Sequence, residues 1–332
     1  MDYIIPPYER NHAGEARKVG FELEFSDLEV EEAADIIADT YDGHVEKNSE
    51  VELEVSTTTM GTFTVELDWQ LGKKIAEGRT GKSISAEKDT GDTLMQWAKW
   101  LAGQVVPVEI VCPPLEIRDL PQLDPMIDNL RRGGAKGTDE SFIYAFGVHI
   151  NPEIPDGDPT TIVRYLKAFA LAQGWLFEKN GIDPVRRITP YIKPYSEDYI
   201  AHVLDYGDKT TLPQLIDDYL DYNHSRNRAL DMTVLWKHFC PQRLKKHAHD
   251  DSMIRARPTF HYRLPNCEIE KQGWYLSTSW NIWCVVEYIA AHQDILDTLT
   301  ARRQQSHSKK LFKTDRTWHN ELEKIADDLL SE

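Results

Sequence analysis

The segment 20–28, GFELEFSDL, constrains this chain most: Phe21, Leu23 and Phe25 alternate with Glu22, Glu24 and Ser26. A period of two sends successive side chains to opposite faces of a strand. One face is therefore apolar and must be covered, while the other carries two carboxylates roughly 7 Å apart. One buried face and one polar face is the pattern of an antiparallel sheet. Two like charges at that spacing call for solvent or a cation, and this segment alone leaves both readings open.

The rest of the chain supplies partners for that strand. Helical spacing runs over 30–41, and 51–68 reads as a β-hairpin turning near Met60-Gly61 with Glu66 and Asp68 on one face. A helix is expected over 93–102, a β-branched strand over 105–112 ended by Pro113-Pro114, and a helix over 123–132 closed by Gly133-Gly134. A strand over 144–150 follows, then helices over 160–180, 212–223 and 230–239, a strand over 259–264, and helices over 274–298 and 318–330. Strands without regular crossover helices predict an α+β fold with a mostly antiparallel sheet. There is no internal repeat and no clear linker, so one domain over 1–332 is expected, with a helical C-terminal segment from about 281 to 330.

Composition narrows the function classes. The formal charge of −17 opposes a phosphate backbone, and the one basic run, 243–249, is short, which argues against nucleic-acid binding. The N-terminus lacks an apolar leader and no window of eighteen apolar residues occurs, so a cytoplasmic protein without a membrane partner is expected. The scattered Cys112, Cys240, Cys267 and Cys284 have no paired spacing and read as reduced, structural thiols.

Polar intrusions into apolar strands are the places to look for chemistry. Glu109 sits in VPVEIVCPP and His149 in FGVHINP. A lone buried carboxylate is expensive and a lone strand histidine is ordinary core, but Glu22, Glu24, Glu109 and His149 together suit magnesium or manganese. Glu66 and Asp68 read either as acids on the substrate side or as solvated strand positions, with a site role preferred for Glu66.

The motifs GFELEF, EIVCPPL, GVHIN and RPTFHYRLPN, in that order, together with YNHSRNRALDM between the last two, resemble the amidoligases, relatives of glutamine synthetase and glutamate–cysteine ligase. The resemblance implies a glutamine synthetase-like catalytic domain with a saddle-shaped antiparallel sheet flanked by helices. It also implies ATP and Mg2+ (or Mn2+) as cofactors, and a small-molecule or peptide carboxylate that is phosphorylated and then captured by an amine. Carried over, Glu22, Glu24, Glu109 and His149 would be metal ligands. Arg255, Arg257 and Arg263 would hold phosphates, with Arg263 in the catalytic machinery; beside these, the strand-face position of Glu66 gives it a catalytic part, and Arg226, Asn227 and Arg228, at the entry to a helix, would meet an anionic substrate. One position departs from the pattern: glutamine synthetase has a metal-binding glutamate two residues before the last arginine, and here that residue is His261. Imidazole can take that ligand place, or Glu268 or Glu270 can supply the missing carboxylate.

Two further motifs compete. AEGRTGKS, 76–83, satisfies a relaxed P-loop pattern, yet it follows a polar stretch and precedes a glycine-broken one, so its Lys82 is expected to reach phosphate only as part of a loop. His247 and His249 alternate in KKHAHDD, better explained by a charged loop than by a metal. Arg226, Asn227, Arg228 and Asp231 sit where a loop is expected to enter a helix; either the run presents a charged fork to an anionic substrate, or Asp231 caps the helix and the arginines face solvent. A metal-dependent hydrolase and an inactive scaffold of the same fold are the alternative functions, and neither oligomeric state nor substrate identity is readable.

Overall fold

The computed structural model of the chain describes residues 2–49, 51–67, 107–138, 146–182, 192–246, 254–308 and 317–331. Seven strands form one antiparallel, open sheet: β1 (Lys18–Phe25), β2 (His44–Ser49), β3 (Glu52–Ser56), β4 (Thr62–Leu67), β5 (Val108–Val111), β6 (Leu115–Glu116) and β7 (Val148–Pro152). β2, β3, β4 and β5 follow one another across the sheet, and β5 pairs with the C-terminal half of β1. Pro113-Pro114 interrupts the ladder there, and the chain resumes as β6 against Lys18 and Val19. β7 runs along the opposite edge of β1, opposite Val19–Leu23.

Ten helices lie among the described residues: α1 (Val30–Tyr41), α2 (Asp124–Gly133), α3 (Pro159–Lys179), α4 (Glu197–Leu204), α5 (Leu212–Tyr222), α6 (Thr233–Phe239), α7 (Pro241–Lys246), α8 (Leu276–Ala291), α9 (Gln293–Ser308) and α10 (Thr317–Ser331). α1 begins with a capping box, in which the Glu29 N–H donates to the Glu32 carboxylate, and it covers β3 and β4. The odd positions of β1, Phe21, Leu23 and Phe25, are fully buried with Val65, Ile110, Val148 and Ile150, so the apolar half of the alternation is the core. α3 and α8 pack together, and Trp283 meets the rings of Phe260 and Tyr262.

A buried ion pair ties these layers together. Arg17 donates through Nη1 and Nη2 to the two Glu287 carboxylate oxygens at 3.0 and 2.8 Å, with both side chains fully buried. Glu287 also accepts from Tyr165 Oη and Trp283 Nε1, and Arg17 Nε donates to the Glu153 carbonyl at 2.7 Å. Every charged oxygen thus has a donor, which is the condition for tolerating such a pair in a core.

Three expectations are corrected here. The stretch 259–264 is not a regular strand: it docks on β7 through isolated bridges at Thr259, Tyr262 and Asn266. Tyr262 and Ile150 exchange reciprocal bonds and Phe260 donates to the Pro152 carbonyl, while Pro258 and Pro265 offer no N–H and only accept, from Ile154 and Val148. The helix expected over 274–298 is two helices, broken at His292, whose extended backbone and Nδ1 contact with the Tyr288 carbonyl at 2.7 Å replace the next helical turn. The helix expected from 230 starts at Thr233, because Leu230 and Asp231 are taken up in bonds to Tyr262 and His261. β2, β6 and α4 are further elements outside the sequence reading.

Candidate functional site

The polar face of the sheet is built by register. Glu52 of β3 stands opposite Glu66 of β4, Glu66 opposite Glu109 of β5, and Glu109 opposite Glu24 of β1. Four glutamates therefore form one row across four strands. In the adjacent row Glu22 of β1 stands opposite His149 of β7. Like charges in opposed positions destabilise a sheet, so a row of this kind suits a bound cation.

Backbone and side-chain donors fix the two carboxylates of β1. Glu24 accepts from the Gly147 N–H at 2.7 Å, and its other oxygen lies 3.6 Å from His149 Nε2. A Cβ on Gly147 would stand 3.3 Å from the Glu24 oxygen that accepts the Gly147 N–H, so a side chain there would crowd that carboxylate. Glu22 Oε2 accepts from His149 Nδ1 at 2.9 Å, and Oε1 accepts from Asn151 Nδ2 at 3.0 Å and Arg257 Nη2 at 2.7 Å. Burial opposes its charge, but the His149 hydrogen bond with the charges of His261, His149 and Arg257 outweighs that and holds the Glu22 carboxyl well below the usual carboxylate range.

Hydrogen-bond chemistry then sets the histidine tautomers. A carboxylate oxygen only accepts, so His149 Nδ1 carries the proton shared with Glu22. His149 Nε2 faces the near Glu24 oxygen at 3.6 Å. Asn151 donates to Glu22, so its Oδ1 is the acceptor that meets Arg257 Nη2 at 3.1 Å and His261 Nδ1 at 2.7 Å. His261 Nδ1 must therefore donate, which leaves its Nε2 lone pair free to ligate. Burial foremost, then neighbouring cationic groups, lower the His261 pKa well below that of an ordinary imidazole, against the pull of Glu22.

Two sets of ligand atoms converge, Glu22 with His149 and His261, and Glu24 with Glu109 and His149, the atoms of each within 4.8 Å of one another. All five metal-ligand expectations thus meet in one place. Glu66 is on the same face, directly across from Glu109 and half-buried. The alternative carboxylates go elsewhere: Glu270 accepts from the Gly137 N–H at 2.8 Å, and Glu268 pairs with Lys271.

The arginines arrive from loops beyond β7. Arg257 touches Glu22 directly. Arg263 donates to the Arg226 carbonyl at 3.1 Å, because the strip 261–263 is bonded on its other side to Ala229 and Asp231. Arg228 donates to the Pro194 carbonyl at 2.9 Å, and the Asn227 carbonyl accepts from the Lys193 N–H. Asp231 accepts from the Thr233 N–H at the entry to α6, as expected of a capping residue, and also lies 3.3 Å from Arg226 Nε. Arg255 is exposed, two residues upstream of Arg257. Lys82, the P-loop-like run, Asp68, His247, His249 and the helix expected over 93–102 lie outside the described residues.

The sequence reading missed Asn151 and Glu52. Asn151 follows His149 by two residues on a strand, the same signal that marked Glu22 and Glu24. Glu52 carried no signal without the register. Among the described helices none is long and apolar enough to cross a membrane.

No curated protein and no solved structure matches the chain. A family model described as "putative amidoligase enzyme" matches residues 15–285, which spans the whole cluster from β1 to α8. The chain belongs to the amidoligase family.

Proposed function

We propose that this protein is an ATP- and Mg2+-dependent carboxylate–amine ligase that forms an amide through an acyl phosphate. The observation that carries this reading is the meeting of groups on one sheet face: the carboxylates of Glu22, Glu24 and Glu109 with His149, bordered by Arg257 at Glu22 and by Arg263 acting on His261. The donor set of carboxylates and imidazole, with His149 Nε2 facing Glu24 at 3.6 Å, fits a divalent ion. When bound, Mg2+ neutralises charge on the nucleotide phosphates.

The chain's own residues have the following parts. Glu22, Glu24, Glu109 and His149 hold the cation, with His261 beside them, and Gly147 and Asn151 keep the ligands aimed. Arg257 and Arg263, joined by Arg255 and Lys82, orient the phosphates and stabilise charge as the γ-phosphoryl group passes to the substrate carboxylate, releasing ADP. Arg226, Asn227 and Arg228 receive the anionic substrate, whether a small molecule or a peptide. An amine then attacks the acyl carbon, phosphate leaves, and the amine's surplus proton passes to a base, the part given to Glu66, next to Glu109 in the carboxylate row.

The test is ADP and phosphate release from ATP with Mg2+ against a panel of amino acids, peptides and amines, comparing wild type with Glu24→Gln and Arg263→Ala. Turnover stimulated by one carboxylate–amine pair and lost in both variants is expected. Hydrolysis of a substrate with neither binding nor consumption of ATP would move the cluster to a metal-dependent hydrolase.

A further inference from the structure

The loop 226–231 is seated from both sides. The Asp231 N–H donates to the His261 carbonyl at 2.9 Å and the Arg263 N–H to the Ala229 carbonyl at 2.9 Å, while the Ala229 N–H donates outward to the Lys193 carbonyl at 3.1 Å. Tyr195 Oη donates to the Leu230 carbonyl at 2.7 Å, and Tyr219 Oη accepts from the Met232 N–H at 3.2 Å. The backbone that carries Arg226 is therefore held beside Arg263, whose Nη1 donates to the Arg226 carbonyl at 3.1 Å.

Asp231 is 0% exposed. Its Oδ1 accepts from the Thr233 N–H at 2.9 Å and the Thr233 hydroxyl at 2.7 Å, a capping duty that a neutral asparagine or serine performs as well. A buried carboxylate is costly unless it is paired, so capping alone does not account for a full charge here. The other oxygen does: Oδ2 lies 3.3 Å from Arg226 Nε.

A guanidinium is planar, with its five N–H groups in a fixed fork. Once Nε is turned to Asp231, the orientation of both Nη atoms follows. The Arg226 side chain is 29% exposed, so its outer edge is open to a ligand, and two parallel bonds from that edge match one carboxylate. An arginine already held in place loses less rotamer freedom when the ligand arrives.

We propose that Asp231 is the positioning residue of the anionic-substrate site: it holds Arg226 by Nε so that the Nη pair receives a carboxylate end-on, beside Arg263. The inference rests on the part given to Arg226 in the proposed function and adds what orients it. Charge and positioning pull in opposite directions here. As a charge, Asp231 opposes an incoming anion; as a positioning residue, it strengthens anion binding.

The test uses the full chain without nucleotide and succinate as a simple carboxylate probe. Proton–nitrogen NMR reads the Arg226 Nε–H, identified by its loss in Arg226→Lys. A signal protected from exchange that moves on succinate titration is expected in wild type. In Asp231→Asn the amide oxygen keeps the Thr233 bonds and the NH2 faces the Arg226 Nε–H, donor against donor. That variant is expected to lose the protection and to bind succinate about 10-fold more weakly, as for the loss of one charge-assisted bond. Thr233→Ala, which alters only the Oδ1 side, should keep both. Equal or tighter succinate binding in a folded Asp231→Asn, or no protected Arg226 Nε–H in wild type, would overturn the proposal. Asp231→Ser, which keeps a capping oxygen, takes the place of the asparagine variant if that one does not fold. A protected Arg226 that ignores succinate would sink both the proposal and the substrate role of Arg226, whereas the expected binding pattern without any ATP consumption would sink the ligase reading alone.

Discussion

Replacing Glu22 with glutamine keeps the shape of the side chain and removes its charge, which makes it the most informative single change. In the native protein the two oxygens accept three bonds, from Arg257, Asn151 and His149. A glutamine oxygen can retain the first two as weaker neutral-acceptor bonds, but its NH2 then faces the His149 Nδ1–H, donor against donor. His149 relieves the conflict by moving its proton to Nε2, toward Glu24, and so loses the lone pair that would bind metal. Charge-assisted bonds contribute about 1.5–3 kcal/mol each, and the relief of burying a charge offsets part of that, so a loss of about 2–4 kcal/mol is expected in the metal-free protein. The sign with pH follows from the depressed carboxyl. Glu22 contributes stability that is fully present above the unfolded carboxyl value of about 4.3 and disappears as pH falls through the lower folded value. The gap between wild type and Glu22→Gln is therefore flat from about pH 5.5 to 8 and closes under strong acid. Urea unfolding in EDTA across pH 3–8 measures it. Metal at about 100 times Kd should add ~2.7 kcal/mol to wild type and almost nothing to the variant. A variant equal to wild type in EDTA at pH 7, or a gap that widens in acid, would refute the hydrogen-bond assignment.

Other expectations are independent of the metal. Arg17→Met strands the Glu287 carboxylate in the core and should cost about 3–5 kcal/mol in chemical denaturation, whereas the double change with Glu287→Leu should cost less than the sum of the single ones. Gly137→Ala places a Cβ 2.1 Å from the Cys267 carbonyl oxygen, a backbone clash that must shift the strip leading to β7; a loss of more than ~1 kcal/mol in thermal melts is expected, and an unchanged melting temperature would contradict the packing. Burial pushes the Cys112, Cys267 and Cys284 thiols upward, so a thiol reagent should label Cys240 alone in the native protein and all four after unfolding, read by mass spectrometry.

Local pattern determined a good deal of this protein. The alternation in β1, the box of Glu29 and Glu32 at the start of α1 and the apolar spacing of α3 and α5 are short-range features; the three helices fall within a residue of their expected bounds, while β1 runs 18–25 where 20–28 was expected. Metal-ligand candidates were legible for the same reason: a polar residue at an inward or shared-face position of a strand announces itself within five residues. What the sequence could not carry is long-range register. Glu52, Glu66, Glu109 and Glu24 align only because three separate hairpin and crossover pairings stack them, and a slip of one residue in any pairing would turn a carboxylate to the opposite face. The tautomers of His149 and His261 depend on Glu22 and Asn151, more than a hundred residues away in the chain, and the burial of Arg17 with Glu287 joins residues 270 apart. Side-chain chemistry and local periodicity belong to the sequence; which groups share a proton, a cation or a buried charge was decided by tertiary packing, because those energies depend on distances of a few ångströms that no local pattern encodes.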